Sequence, residues 1–108
     1  MIQQISPTAV KAKLDAGEPV VLVDCRQPEE YALCRIEGST LIPLGELRER
    51  AGEIEPAADA LVVVYCHHGV RSLTGAVMLT QAGLTNVASM AGGIEAWSVQ
   101  VDPRVPRY

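Results

Sequence analysis

The chain has 108 residues, enough for one compact domain that buries roughly two-thirds of its unfolded surface. With 48% hydrophobic residues it is too apolar to stay disordered, and nine Lys and Arg against thirteen Asp and Glu leave a net charge of −4, which argues against nucleic acid or an anionic membrane as the main partner. The longest apolar runs, Val20 to Val23 and Leu61 to Cys66, are too short to cross a bilayer, and no basic stretch feeds a hydrophobic segment at the N-terminus. The expectation is a cytoplasmic protein with neither nucleic acid nor membrane among its partners.

No repeat, low-complexity tract or linker divides the chain, so residues 1–108 read as a single domain. Ser6-Pro7 starts a helix with Ser6 as N-cap and Pro7 at the first helical position; Val10 and Leu14 share a face before Gly17 stops it. "EPVVLVDCR" follows as a strand, "QPEEYALC" as a short helix opened by Pro28, and "STLIPL" as another short strand. "GELRERAGEI" reads as a charged helix with a solvated face. The unbroken apolar centre of "ALVVVYC", like that of "EPVVLVDCR", suits a parallel strand covered on both sides. Leu73, Ala76, Val77 and Thr80 then recur at helical spacing, predicting a helix that ends near Ala82-Gly83. "TNVASM" is the final strand, and "AGGIEAW" gives a tight turn and a helix with Ile94 and Trp97 on one face. From about 99 to 108 the sequence reads as an extended tail.

Strands alternating with helices define an α/β fold, a parallel sheet with helices on both faces and right-handed crossovers. Ligands in such sheets bind beyond the carboxyl ends of the strands. Asp24-Cys25-Arg26 and the loop after Cys66 both lie at such ends.

The second of these ends carries the chemistry. In "YCHHGVRS" a thiol closes a buried strand and is followed at once by two imidazoles, a glycine and an arginine. An isolated cysteine there would most simply be a small core residue, but the whole string favours a nucleophile. A strand-to-helix turn places converging backbone N–H groups near Cys66, and a helix N-terminus with a nearby cation, here Arg71, lowers a thiol pKa from about 8.5. His67 and His68 are either solvated loop groups or proton carriers. Three contiguous ligands cannot readily surround one tetrahedral metal, so no metal is expected. Gly69 permits backbone angles that turn N–H groups inward. Asp24 reads as one half of a structural ion pair or turn hydrogen bond, Cys25 as core or as a resolving thiol for oxidised Cys66, and Trp97 as core.

Three segments, "VLVDCRQPEEYALCRIEGSTLIPLGEL", "VVVYCHHGVRS" and "MAGGIEAW", resemble a single-domain rhodanese, the thiosulfate-type sulfurtransferase module. That resemblance implies a five-stranded parallel sheet with helices on both faces. It also implies that Cys66 carries a persulfide, and that His67, His68, Gly69, Val70 and Arg71 cradle the transferred sulfur; separately, Arg26, at the neighbouring strand end, is counted among the substrate-binding residues. The implied activity moves sulfane sulfur from thiosulfate or a donor persulfide to a thiophilic acceptor, with a small molecule or a protein as donor or acceptor and no metal or organic cofactor. Two stretches depart from the family pattern: Asp24-Cys25-Arg26 stands where many relatives read D-V-R, and Cys34-Arg35-Ile36-Glu37-Gly38-Ser39 where they read G-H-I-P-G-A. A guanidinium at Arg35 excludes a proton role for that position. The tail "VQVDPRVPRY" resembles the ends of rhodanese modules attached to sulfur-carrier-adenylating enzymes.

Two rival readings use the same residues. A phosphatase or arsenate reductase of related fold resembles C-x5-R, whereas four residues separate Cys66 from Arg71 here, a tighter loop suited to one sulfur atom. A non-catalytic interaction module usually lacks the nucleophile, and Cys66 is present.

Overall fold

The structure is a computed structural model that describes residues 2–108. Five strands, β1 (Gln3–Ile5), β2 (Val20–Asp24), β3 (Thr40–Leu41), β4 (Leu61–Tyr65) and β5 (Val87–Met90), form one sheet in the order β1-β5-β4-β2-β3 with every pairing parallel. The α-helices are α1 (Pro7–Asp15), α2 (Pro28–Leu33), α3 (Leu47–Arg50), α4 (Arg71–Gln81) and α5 (Gly93–Gln100). Among the described residues no helix is long and apolar enough to cross a membrane.

Strand β4 is central, and all five of its residues are buried. Successive side chains alternate between faces, so its unbroken apolar run feeds two cores. Leu61, Val63 and Tyr65 join Leu22, Met90, Val10, Ile94 and Trp97 on the side of α1 and α5. Val62, Val64 and Cys66 join Val23, Cys25, Leu47, Ala76 and Leu79 on the side of α3 and α4. Helices therefore cover both faces, as the alternation of elements requires.

The structure adds one element and corrects two local expectations. The segment Gln3–Ile5, which the sequence left unassigned, pairs with β5 as an edge strand. The expected charged helix over "GELRERAGEI" is interrupted: 3-10 turns at Leu44–Glu46 and Ala51–Glu53 flank the four residues of α3. Gly45 and Gly52 sit in those turns, where their low helix propensity and the need to bury Leu47, Ala51 and Ile54 together outweigh a regular helix. The tail is not extended from residue 99. Helix α5 runs through Gln100, after which the chain folds back, Val101 and Val105 pack on the core, and the Ser98 hydroxyl donates to the Val105 carbonyl at 2.6 Å.

Candidate functional site

The register of the sheet brings two cysteines side by side. Asp24 pairs with Tyr65 as β2 and β4 end together, so the next residues, Cys25 and Cys66, leave adjacent strands at the same edge. The Cys25 N–H donates to the Tyr65 carbonyl at 3.0 Å, and both thiols belong to the core on the α4 side. Cys66 is 1% exposed. Its Sγ accepts from the Gly69 N–H at 3.1 Å and the Ser72 N–H at 3.3 Å, with the Ser72 hydroxyl 3.6 Å away and itself 2.7 Å from the Ser89 hydroxyl.

These donors favour the anion. The neighbouring Cys25 thiol, followed by the Ser72 hydroxyl and the Ser72 and Gly69 N–H groups, holds Cys66 down to about 4 against the opposing effect of burial. Cys25 moves the other way: the adjacent Cys66 thiolate, burial, and the negative charge of Asp24 push its thiol far above the ordinary range. Arg71, the cation that the sequence credited with activating Cys66, is not the main cause. The neighbouring Cys25 and the hydrogen bonds of the loop do that.

The loop takes its shape from the last helix. The Ile94 N–H donates to the Cys66 carbonyl at 2.8 Å and the Glu95 N–H to the His67 carbonyl at 3.1 Å, so the carbonyls face outward and leave N–H groups to point at Sγ. Two glycines make this approach possible. Gly69 has φ +94°, and a Cβ there would lie 2.9 Å from the Gly92 nitrogen; Gly93 has φ +61°, and a Cβ there would collide with the carbonyls of Cys66 and His67.

The two arginines are used differently. Arg71, at the start of α4, donates Nη1 to Glu30 Oε1 at 2.7 Å and Nη2 to Glu30 Oε2 at 2.9 Å. Glu30 also closes the capping box of α2 by accepting the Gln27 N–H at 3.0 Å. The Arg71 guanidinium, assisted by that N–H and by Tyr108, holds the Glu30 carboxyl below the usual carboxylate range although partial burial opposes it. Arg26, expected to bind substrate, is fully buried. Its Nε donates to Asp24 Oδ1 at 2.9 Å, Nη2 to Asp24 Oδ2 at 2.7 Å and to the Cys34 carbonyl at 2.6 Å, and Nη1 to the Tyr108 hydroxyl at 2.8 Å. With no face open to a ligand, Arg26 is structural, and Asp24 is its ion-pair partner.

The His67 ring is sandwiched between His68 and Tyr108, with centroids 3.8 Å away on each side. Burial, and after it the neighbouring His68, lowers the His67 pKa. His68 is exposed, and Val70, at the loop tip, is 73% exposed. His67, His68 and Glu95 bring one ligand atom each within 4.8 Å of one another, but Glu95 already accepts from Arg107 Nε at 2.7 Å.

The structure thus brings Cys66, Gly69 and Arg71 together, sets His67, His68 and Val70 at the rim, and sequesters Arg26. Sequence reasoning passed over Ser72, Glu30 and Tyr108. Ser72 was legible as a hydroxyl one residue into the helix after the loop, and Glu30 as the third residue after Gln27 in a capping pattern. Tyr108 carried no local signal.

A central cysteine whose sulfur accepts N–H groups of a short strand-to-helix loop, on a five-stranded parallel sheet, defines a rhodanese-type α/β protein. The rhodanese-like domain family matches residues 6–100, and the chain belongs to that family. It is 35% identical to a sulfurtransferase of Allochromatium vinosum, over 91% of this chain and 90% of that protein. It is 33% identical to the probable adenylyltransferase/sulfurtransferase MoeZ of Mycobacterium tuberculosis over 96% of this chain, which spans only 26% of that longer protein. The crystal structure of thiosulfate sulfurtransferase from Pseudomonas aeruginosa is similar with a TM-score of 0.83 and 31% identity, over 91% of this chain and 19% of that one.

Proposed function

We propose that this protein is a sulfurtransferase that carries sulfane sulfur on Cys66. The observation that carries the reading is the Cys66 Sγ itself, buried yet hydrogen-bonded by the Gly69 and Ser72 N–H groups, an arrangement that stabilises a thiolate at neutral pH. Relatives named for sulfur transfer support it.

In the first step the thiolate attacks the outer sulfur of thiosulfate, or of a donor persulfide. A Cys66 S–S bond forms as the donor S–S bond breaks, and sulfite or the donor thiolate leaves with the electron pair. In the second step a thiophilic acceptor attacks the terminal sulfur and Cys66 departs as thiolate. Gly69, Val70, His67 and His68 form the loop around the terminal sulfur, and Arg71 faces an anionic donor. The donor and the acceptor are small sulfur compounds or proteins, and the chemistry needs no cofactor.

The test is by mass. Reduced protein incubated with thiosulfate gains one sulfur atom on the peptide containing Cys66, cyanide removes it as thiocyanate, and Cys66→Ser does neither. Hydrolysis of aryl phosphates without sulfur uptake would instead identify a phosphatase, and absence of both in a folded protein would identify a binding module.

A further inference from the structure

The folded-back tail ends on the site. Its position is fixed from behind by the Ser98–Val105 hydrogen bond, by Val105 against the core and by Arg107 on Glu95. From there the Tyr108 hydroxyl donates to Glu30 Oε2 at 2.6 Å and accepts from Arg26 Nη1 at 2.8 Å, while its ring lies 3.8 Å from His67 with only 6° between the planes. Burial, and after it the Glu30 carboxylate, pushes the Tyr108 phenol up to about 12, so it remains a proton donor through the neutral range.

We propose that Tyr108 is a positioning residue of the Cys66 site: it ties the Glu30–Arg71 pair to His67 and so holds the Arg71 guanidinium where an anionic sulfur donor meets it. The proposal rests on the sulfur-transfer reading for its substrate, though not for its geometry. Arg71 spends two N–H groups on Glu30 in an end-on pair. A guanidinium has five, so N–H groups remain for a second anion. Where those groups point depends on the Glu30 carboxylate, and Glu30 Oε2 is shared between Arg71 and Tyr108. Removing the phenol hydroxyl takes away one of the four hydrogen bonds that fix this carboxylate, the others coming from Gln27 and Arg71. Tyr108 touches neither Sγ nor its N–H donors, so the nucleophile itself is left as it was.

Two variants and two readouts test this. Tyr108→Phe keeps the ring on His67 and loses both hydroxyl bonds; Tyr108→Ala loses the stack as well. In Tyr108→Phe the KM for thiosulfate, with cyanide as acceptor, rises about fivefold while kcat changes by less than about twofold, the split expected when ground-state binding of an anion is weakened. The second readout compares alkylation of Cys66 by anionic iodoacetate and neutral iodoacetamide. The ratio of the two rates falls by a similar factor in Tyr108→Phe and further in Tyr108→Ala, with the iodoacetamide rate nearly unchanged. If Tyr108→Ala does not fold, Tyr108→Phe decides alone. An unchanged alkylation ratio in Tyr108→Phe overturns the proposal whatever KM does, and so does an equal fall with both reagents, which is the signature of general loosening. A wild-type chain that takes up no sulfur sinks the sulfur-transfer reading but leaves this test intact, because alkylation reports the orientation of Arg71 without any transfer.

Discussion

The ends of β2 and β4 carry similar residues and have opposite fates. Each strand runs out into a cysteine with an arginine close behind, Cys25-Arg26 in one case and Cys66 with Arg71 in the other, and the two cysteines are neighbours across the sheet. The surroundings raise the Cys25 pKa and lower that of Cys66; Arg26 is sealed in the interior, while the Arg71 side chain remains 34% exposed. Residue type decides neither outcome. What differs is the backbone that follows. After Cys66 the chain turns immediately into α4 and aims the Gly69 and Ser72 N–H groups back at sulfur, whereas after Cys25 the N–H of Arg26 is taken by the Asp24 carboxylate at 3.0 Å. An anion is stabilised where donors are left over, and a buried ion pair forms where they are used up.

That contrast is sharpest in stability measurements on its two arginines. Asp24→Ala strands the Arg26 charge in the core and is expected to cost about 3–5 kcal/mol in urea denaturation, as for other half-deleted buried pairs. Arg71→Ala, at the rim, is expected to cost less than about 1 kcal/mol in the same assay while raising the KM for thiosulfate. Equal destabilisation by the two would erase the distinction between a structural and a functional arginine. A smaller effect is expected on chemistry from Gly69→Ala, which forces a Cβ toward the Gly92 nitrogen at φ +94° and displaces an N–H from sulfur. Sulfur uptake followed by mass should slow about a hundredfold, comparable to losing one preorganised donor.

The two cysteines give the finest comparison. Folding depresses the Cys66 pKa, so the stability contributed by its thiolate is complete above the ordinary thiol value near 9 and declines as pH falls toward about 4. Cys25→Ala removes the largest source of that depression. The rate of Cys66 alkylation by iodoacetamide at pH 5 should fall about tenfold in Cys25→Ala, through loss of thiolate, with little change at pH 9. A pH profile identical to wild type would mean that the loop N–H groups alone set the nucleophile. In the wild type, limiting iodoacetamide is expected to label Cys66 before Cys25 and Cys34: all three thiols are buried, and the Gly69 and Ser72 N–H groups favour the thiolate at Cys66.

Legibility in the sequence followed the range of the forces. β2, β4, α1 and α4 are marked by local periodicity and by capping residues such as Ser6, whose hydroxyl accepts the Ala9 N–H at 3.1 Å. The strand β1 was silent because only Ile5 of its three residues is buried, leaving no alternation to read. The Cys66 loop announced itself through residue types, but the cause of its reactivity did not. Cys25 follows a different strand, and Arg71 finds Glu30 41 residues away, too distant for any spacing rule. The pairing of Arg26 with Tyr108 spans 82 residues and depends on the tail folding back, which in turn depends on Val101 and Val105 finding the core.

The hydrogen bonds from Ile94 and Glu95 to the carbonyls of Cys66 and His67 also set an order of events in biosynthesis. The nucleophile is made midway along the chain, yet the peptide planes that turn N–H groups toward it are locked only when α5 has left the ribosome and docked. Until then Cys66 is an ordinary thiol, mostly protonated at neutral pH. A nascent or C-terminally truncated chain therefore carries Cys66 without the peptide orientation that the docked helix imposes on its loop.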